Sequence, residues 1–293
     1  MQSLKIGILG VGAIGSVVSL KLNPPHHKYY YNRSPKSEIV VEYEGNTYQE
    51  NIVLSDSNES TKLDWLIICL KEYQFAGAAK ALQNLIAPST KVAVIRNGIN
   101  LKEPILPYTT SENILECMID CPTQLTEEKH YHQLRKAKIT VAQNELSADF
   151  KKIFDLDKIE ILQVEDFVTK NWEKLIESSA LGAILCLSGE SCWIFEDENV
   201  RMLFQKIVQE AVQVARAEGA NLKESFIPEI LEKVKSYPAA KESSMLIDRR
   251  MGRPIEINAK NGVIAALGKK HGIKTELNDL VTTLLQHTNQ PRN

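Results

Sequence analysis

Apolar residues gather first at 4–9 (LKIGIL), a run with the length of a buried strand, and Ala13–Leu22 after it carries helical spacing. Lys28–Asn32 (KYYYN) predicts a second strand, rich in aromatics. Ile39–Val41, Thr47–Tyr48 and Ile52–Leu54 predict short strands around the turn Glu44-Gly45-Asn46. Trp65–Leu70 reads as a buried strand, Ala76–Ile86 as a helix and Val92–Ile95 as another buried strand. Ile114–Ile119 and Lys138–Ala142 complete a strand-rich half, with the polar stretch Thr123–Lys136 between them. From about Asp166 the period changes: Phe167–Leu187, Val200–Glu218, Ser225–Val234 and Glu256–His271 all have helical spacing. Strands alternating with helices, then helices alone, predict an α/β domain over 1–165 and an all-α domain over 166–293.

Composition bounds this picture without changing it. A chain of 293 residues exceeds the about 100–150 of a typical single domain, in keeping with two domains. With 43% apolar and 25% charged residues it has the make-up of a soluble globular protein. A net charge of -2 gives no general attraction to nucleic acid or to an acidic membrane, although Arg249, Arg250 and Arg253 form a local basic cluster suited to a small anion. The apolar start, Met1–Gly15, has no basic segment before it and is interrupted by Gly10, Gly12 and Gly15, unlike a secretion signal. The longest apolar stretch, 180–187, is far short of the ~20 residues that span a bilayer, so a cytoplasmic location is expected. The five cysteines (Cys69, Cys117, Cys121, Cys186, Cys192) form no spaced disulfide framework. Cys117 and Cys121 with His130 and His132 match no common zinc spacing, so free thiols and no metal are expected.

Gly10-Val11-Gly12-Ala13-Ile14-Gly15 is a Gly-x-Gly-x-x-Gly that follows a strand and opens a helix, the context dinucleotide binding requires. Gly10 permits the tight turn, Gly12 lets backbone approach a pyrophosphate, and Gly15 lets helix and strand pack closely. These features predict a Rossmann domain with a doubly wound, mostly parallel sheet. An NAD-selective site places Asp or Glu at the end of the second strand, to accept from the ribose 2′-hydroxyl. This chain has Asn32-Arg33-Ser34 there. Arg33 can meet a 2′-phosphate with charge-assisted hydrogen bonds, which favours NADP(H); the plainer alternative is a solvated surface arginine.

Further segments make the chain similar to the ketopantoate reductase (2-dehydropantoate 2-reductase) family. Lys71-Glu72-Tyr73-Gln74 follows the third main strand and Asn97-Gly98 the fourth; Lys174-Leu175, Ser243-Ser244-Met245-Leu246 and Arg253-Pro254-Ile255-Glu256-Ile257 come later. They stand in the family's order across nearly the whole chain. The resemblance implies NADPH-dependent reduction of 2-dehydropantoate to pantoate, a step supplying pantothenate and coenzyme A, with substrate held in the cleft between two domains. By resemblance Lys174 is the general acid, Glu256 orients it or bonds the substrate's distal hydroxyl, and Ser244 takes the carboxylate. Lys71, Gln74 and Asn97 are placed beside cofactor and cleft. The small 2-oxo acid and, by resemblance, a second copy in a homodimer are the expected partners.

Each motif also has an ordinary structural reading. Lys174 can lie on an exposed helix face, and Lys71 can be a solvated strand-end lysine. Glu256 and Lys260 at i, i+4 can be a surface ion pair, Ser243-Ser244 a helix cap and Asn97-Gly98 a plain turn. The chain departs from the family at positions where the family presents asparagine: Ser178 and Gly182 stand four and eight residues past Lys174, with Cys192 and Lys241 further along. Unmatched buried polar groups cost about 1–3 kcal/mol each, so the substrate assignment is affected more than the cofactor. Lys241 pairing with a carboxylate is one compensation. A reductase of another 2-oxo acid, or an NADPH-binding sensor without turnover, is the alternative.

Overall fold

Lys5–Leu9 forms strand β1, and the backbone then turns through Gly10 into helix α1, Ala13–Ser19. The computed structural model describes residues 3–59, 61–127 and 130–288. Met1 at the head of the first apolar run, positions 128 and 129 in the polar stretch, and 289–293 at the end of the helical domain lie outside the described residues. The chain divides into two compact units, one ending at Phe167 and the other beginning at Val168.

The first unit continues with β2 (His27–Tyr31), β3 (Glu38–Tyr43), β4 (Asn46–Asn51), β5 (Trp65–Ile68), α2 (Phe75–Leu85) and β6 (Lys91–Ile95). It ends with β7 (Ile114–Asp120), β8 (Thr123–Glu127), β9 (His130–Gln133), β10 (Ala137–Ala142), α3 (Glu145–Lys152) and β11 (Ile159–Val164). Seven strands make one sheet in the order β11-β10-β7-β6-β5-β1-β2. Every neighbouring pair is parallel except β10 with β7. All four residues of β5 are buried. Trp65 and Ile67 pack with Ile6, Ile8 and Phe150, while Leu66 and Ile68 pack with Phe75, Leu82 and Val94. Burial on both faces is why these strands read as unbroken apolar runs. Each fully buried Leu or Ile contributes about 1.5–3 kcal/mol relative to exposure.

The polar stretch from Thr123 is not a plain connection. It supplies β8 and β9, which join β3 and β4 in a second sheet ordered β4-β3-β9-β8. Helix α3 and strand β11 were also unforeseen: Asn144 caps α3 by accepting from Ser147 N at 2.8 Å, and β11 closes the sheet edge parallel to β10.

The second unit holds α4 (Phe167–Ser188), α5 (Glu198–Ala217), α6 (Phe226–Lys235), α7 (Ser244–Arg250), α8 (Val263–His271) and α9 (Glu276–Gln286). The stretch expected to be one helix from Glu256 to His271 begins instead as a π-helical turn, Asn258–Gly262, which runs into α8. Gly272, at φ 68, ends α8, and Ile273 N donates back to Gly268 O at 2.8 Å. Glu210 of α5 then accepts from Leu277 N and Asn278 N, each at 2.9 Å, and so caps α9 from a neighbouring helix. Among the described residues no helix is long and apolar enough to cross a membrane.

Candidate active site

Parallel pairing of β2, β1, β5 and β6 puts the carboxyl ends of four adjacent strands on one sheet edge. The segments that follow them carry Asn32 and Arg33, the Gly10–Gly15 turn, Lys71 and Gln74, and Asn97. In open α/β sheets this edge is where ligands bind, at the point where strand order reverses.

Two glycines of the turn are fixed by sterics. Gly10 has φ +93, and a Cβ there would stand 2.9 Å from the Cys69 carbonyl oxygen. A Cβ on Gly15 would lie 2.0 Å from the Gly10 carbonyl oxygen, an impossible contact. Gly12, by contrast, is exposed, has nothing within 4 Å of a Cβ, and opens α1 with no side-chain cap of its own. Ala13 and Ile14 beside it are half-buried. A tight turn whose open end presents uncapped amides fits a dinucleotide pyrophosphate.

Val11 has a different part from its neighbours. It is buried, its N–H donates to Asn32 Oδ1 at 3.1 Å, and its carbonyl accepts from Lys36 Nζ at 2.9 Å. Lys36 also reaches Ser16 Oγ at 3.2 Å, is 9% exposed, and lies 4.7 Å over the Tyr131 ring. The loop carrying Arg33 is thereby tied to the turn through both backbone groups of one residue, Val11. Nothing in the sequence marks Lys36, because a lysine after a strand-end turn reads as solvated. Arg33 is exposed and belongs to no ion pair among the described residues. Gln74 Oε1 accepts from Lys71 N at 2.8 Å, so it braces the loop after β5. The Asn97 carbonyl accepts from Arg96 Nη1 at 3.1 Å, ahead of Gly98 at φ 110.

In the helical unit, Lys174, Ser178 and Gly182 follow at i, i+4 and i+8 along one face of α4. Lys174 and Ser178 are half-buried, and Ser178 Oγ donates to Leu175 O at 3.3 Å. Gly182 permits close approach of α7: a Cβ there would meet Met245 Sδ at 2.8 Å. Arg249 of α7 also donates to the Cys186 carbonyl at the end of α4.

The family model described as "Ketopantoate reductase PanE/ApbA" matches residues 6–145, and that described as "Ketopantoate reductase PanE/ApbA C terminal" matches 166–289. The chain belongs to the ketopantoate reductase family. A 2-dehydropantoate 2-reductase of Caulobacter vibrioides is 30% identical over 283 residues, covering 96% of this chain and 97% of its own. A protein of the same name from Mycobacterium tuberculosis is 30% identical over 292 residues, with 96% of each chain covered. A solved dimeric ketopantoate reductase from Staphylococcus aureus has a TM-score of 0.86 at 22% identity, covering 98% of this chain and 99% of that one. A D-mandelate dehydrogenase solved with NADH and anilino(oxo)acetate has a TM-score of 0.84 at 19% identity, covering 98% of each chain. The matched family and relatives carry the names of reductases, a class of oxidoreductase.

Against the ketopantoate reductase pattern, several residues take unexpected places. Ser243 is the cap of α7, accepting from Leu246 N at 3.1 Å, while Ser244 is exposed in the first turn. Glu256 and Lys260 are not a surface pair: they are 9% and 2% exposed. Lys241 and Cys192 meet through backbone, Cys192 N donating to Lys241 O at 2.9 Å, and the Lys241 ammonium lies over the Tyr237 ring. That cluster borders a cavity of about 230 Å³ lined by Cys192, Trp193, Arg201 and Tyr237, none of them a predicted site residue, although Cys192 stands where the family presents asparagine. A larger cavity, about 520 Å³, lies at the amino ends of β1, β5 and β6, the wrong edge for a nucleotide. Two of its three lysines, Lys91 and Lys152, are paired with Asp149, whose carboxyl their hydrogen bonds hold down at about 2. Burial raises the thiols of Cys117, Cys186 and Cys192, so none is a ready nucleophile.

Proposed function

We propose that this chain reduces 2-dehydropantoate to pantoate with NADPH, in the route to pantothenate and coenzyme A. The observation that carries the reading is that one chain holds both an open glycine turn, in the first unit, and a half-buried Lys174 on α4, in the second. The relatives of that name, 30% identical over almost the whole chain, support the substrate.

When bound, NADPH supplies the hydride. The turn at Gly10–Gly15 would hold the pyrophosphate and Arg33 the 2′-phosphate, with Lys71, Gln74 and Asn97 beside the cofactor on the same edge. As the ketone carbon gains hydride, its oxygen becomes negative. Lys174 offers both a positive charge and a proton to that oxygen, lowering the barrier electrostatically and by acid catalysis. Glu256 orients Lys174 or accepts from the substrate's hydroxyl, and Ser244 donates to its carboxylate. Ser178 and Lys241 complete the polar contacts where the family has amides. Homodimer assembly is carried over from the Staphylococcus aureus neighbour, described as dimeric. A cytoplasmic location belongs to the same reading.

Arg33 decides the cofactor, and its test is independent of the substrate. Wild type is expected to bind NADPH at least about tenfold more tightly than NADH, the size of one charge-assisted phosphate contact. Arg33→Ala erases that preference while leaving NADH affinity within twofold. Fluorescence titration of both cofactors into both proteins reads the result; equal wild-type affinities, or a preference that survives the substitution, would sink the assignment.

A further inference from the structure

The loop that leaves β2 is pinned on either side of Arg33 and open in between. Arg33, Ser34 and Pro35 are exposed, whereas Asn32 is half-buried and Lys36 is buried. Before Arg33, Tyr31 O accepts from Gly10 N at 2.9 Å and Asn32 Oδ1 accepts from Val11 N at 3.1 Å. Asn32 Nδ2 also donates to Ser34 O at 2.7 Å, which folds the loop back on itself. After Arg33, Lys36 Nζ donates to Val11 O at 2.9 Å, in the glycine turn, and to Ser16 Oγ at 3.2 Å, on α1. Past Lys36 the chain leads away into the second sheet, where Ser37 O accepts from Ile52 N at 2.8 Å. Lys36 is thus the point where the exit of the loop meets the turn. Its ammonium is directed inward, over the Tyr131 ring, so it acts on the turn from behind.

A cofactor with a 2′-phosphate carries two anionic groups, that phosphate and the pyrophosphate, at a separation limited by its own covalent bonds. Two protein groups meet both at once without penalty only if their spacing is already right. Freedom in that spacing must be given up on binding, and it lowers affinity. NADH lacks the 2′-phosphate and makes no such demand. We propose that Lys36 is a positioning residue for cofactor choice. By holding the exit of the loop to Val11, it fixes Arg33 at the distance from the pyrophosphate turn that a 2′-phosphorylated cofactor spans. The inference rests on the assignment of Arg33 to the 2′-phosphate above.

The test measures dissociation constants for NADPH and NADH by fluorescence titration of the full chain, as wild type, Lys36→Met, Arg33→Ala and the double variant. Lys36→Met keeps the apolar stem and removes the donor. In K36M, NADPH affinity is expected to fall about fivefold or more while NADH affinity stays within about twofold. Added to R33A, the same change leaves both affinities within about twofold, because no Arg33 contact is left to place. A residue that only stabilises the fold gives equal losses for both cofactors and in both backgrounds, and that result overturns the proposal. So does a cofactor preference that K36M leaves intact. Should K36M melt too low to assay, Asn32→Ala cuts the other tether, at Val11 N, and is held to the same two expectations. Wild type that binds both cofactors equally, or a preference that R33A does not remove, overturns the Arg33 reading, and this proposal with it.

Discussion

Replacing Lys174 by alanine lowers kcat about 10²- to 10⁴-fold, the range for a lost general acid, and leaves NADPH affinity within twofold. Lys174 is half-buried on the α4 face shared with Ser178 and Gly182, whereas the residues assigned to the cofactor's phosphates all belong to the other unit. The two readouts should therefore separate. An interaction made only as charge develops on the ketone oxygen lowers kcat and kcat/KM together, with little change in KM. Steady-state NADPH oxidation gives the first readout and cofactor fluorescence the second. Near wild-type turnover in K174A makes Lys174 an ordinary helix-surface lysine and removes it from the chemistry.

The second large effect is at the glycine turn. Gly15→Ala puts a Cβ 2.0 Å from the Gly10 carbonyl oxygen and 3.1 Å from its carbon, both backbone atoms that no rotamer change can move. The turn must open or α1 must shift, at about 1–3 kcal/mol of stability by analogy with overpacking, and NADPH affinity falls at least about tenfold. Gly12→Ala is the matched control, since its Cβ meets nothing within 4 Å. It is expected to melt like wild type yet bind NADPH more weakly, because the added methyl stands where the pyrophosphate approaches. Thermal melts paired with cofactor titrations check both. Wild-type stability and affinity in G15A would contradict the packing account of the turn.

The parallel core was legible because burial on both faces leaves a simple mark: β1, β5 and β6 are continuous apolar runs set between helical segments. From that order the carboxyl edge, and with it the places of Gly10, Arg33, Lys71 and Asn97, follows directly. Strands β8 and β9 left no such mark, since Gln124 and Thr126 are exposed and the polar Thr-Gln-Leu-Thr pattern resembles a loop. Helix α3 was hidden by its shortness, and α9 because its cap comes from Glu210, distant in sequence. In the site, the unread residues are the buried lysines. Lys36 and Lys260 look solvated in sequence because the partners that bury them, the Val11 carbonyl and the Ser178 carbonyl, lie 25 and 82 residues away. The i, i+4 spacing of Glu256 and Lys260 reads as a surface pair only if the helix is regular, and the π-helical turn breaks that premise.

In the proposed reading, one chain carries both an NADPH-binding edge and a cationic, ketone-reducing residue. It is tested most directly by following absorbance at about 340 nm with the purified chain, NADPH and a panel of 2-oxo acids that includes 2-dehydropantoate. Oxidation of NADPH is expected to depend on added 2-dehydropantoate, to form pantoate in equal amount, and to be fastest for that acid. NADPH that binds but is oxidised by no 2-oxo acid would contradict it, and would make the chain a cofactor-binding protein without turnover.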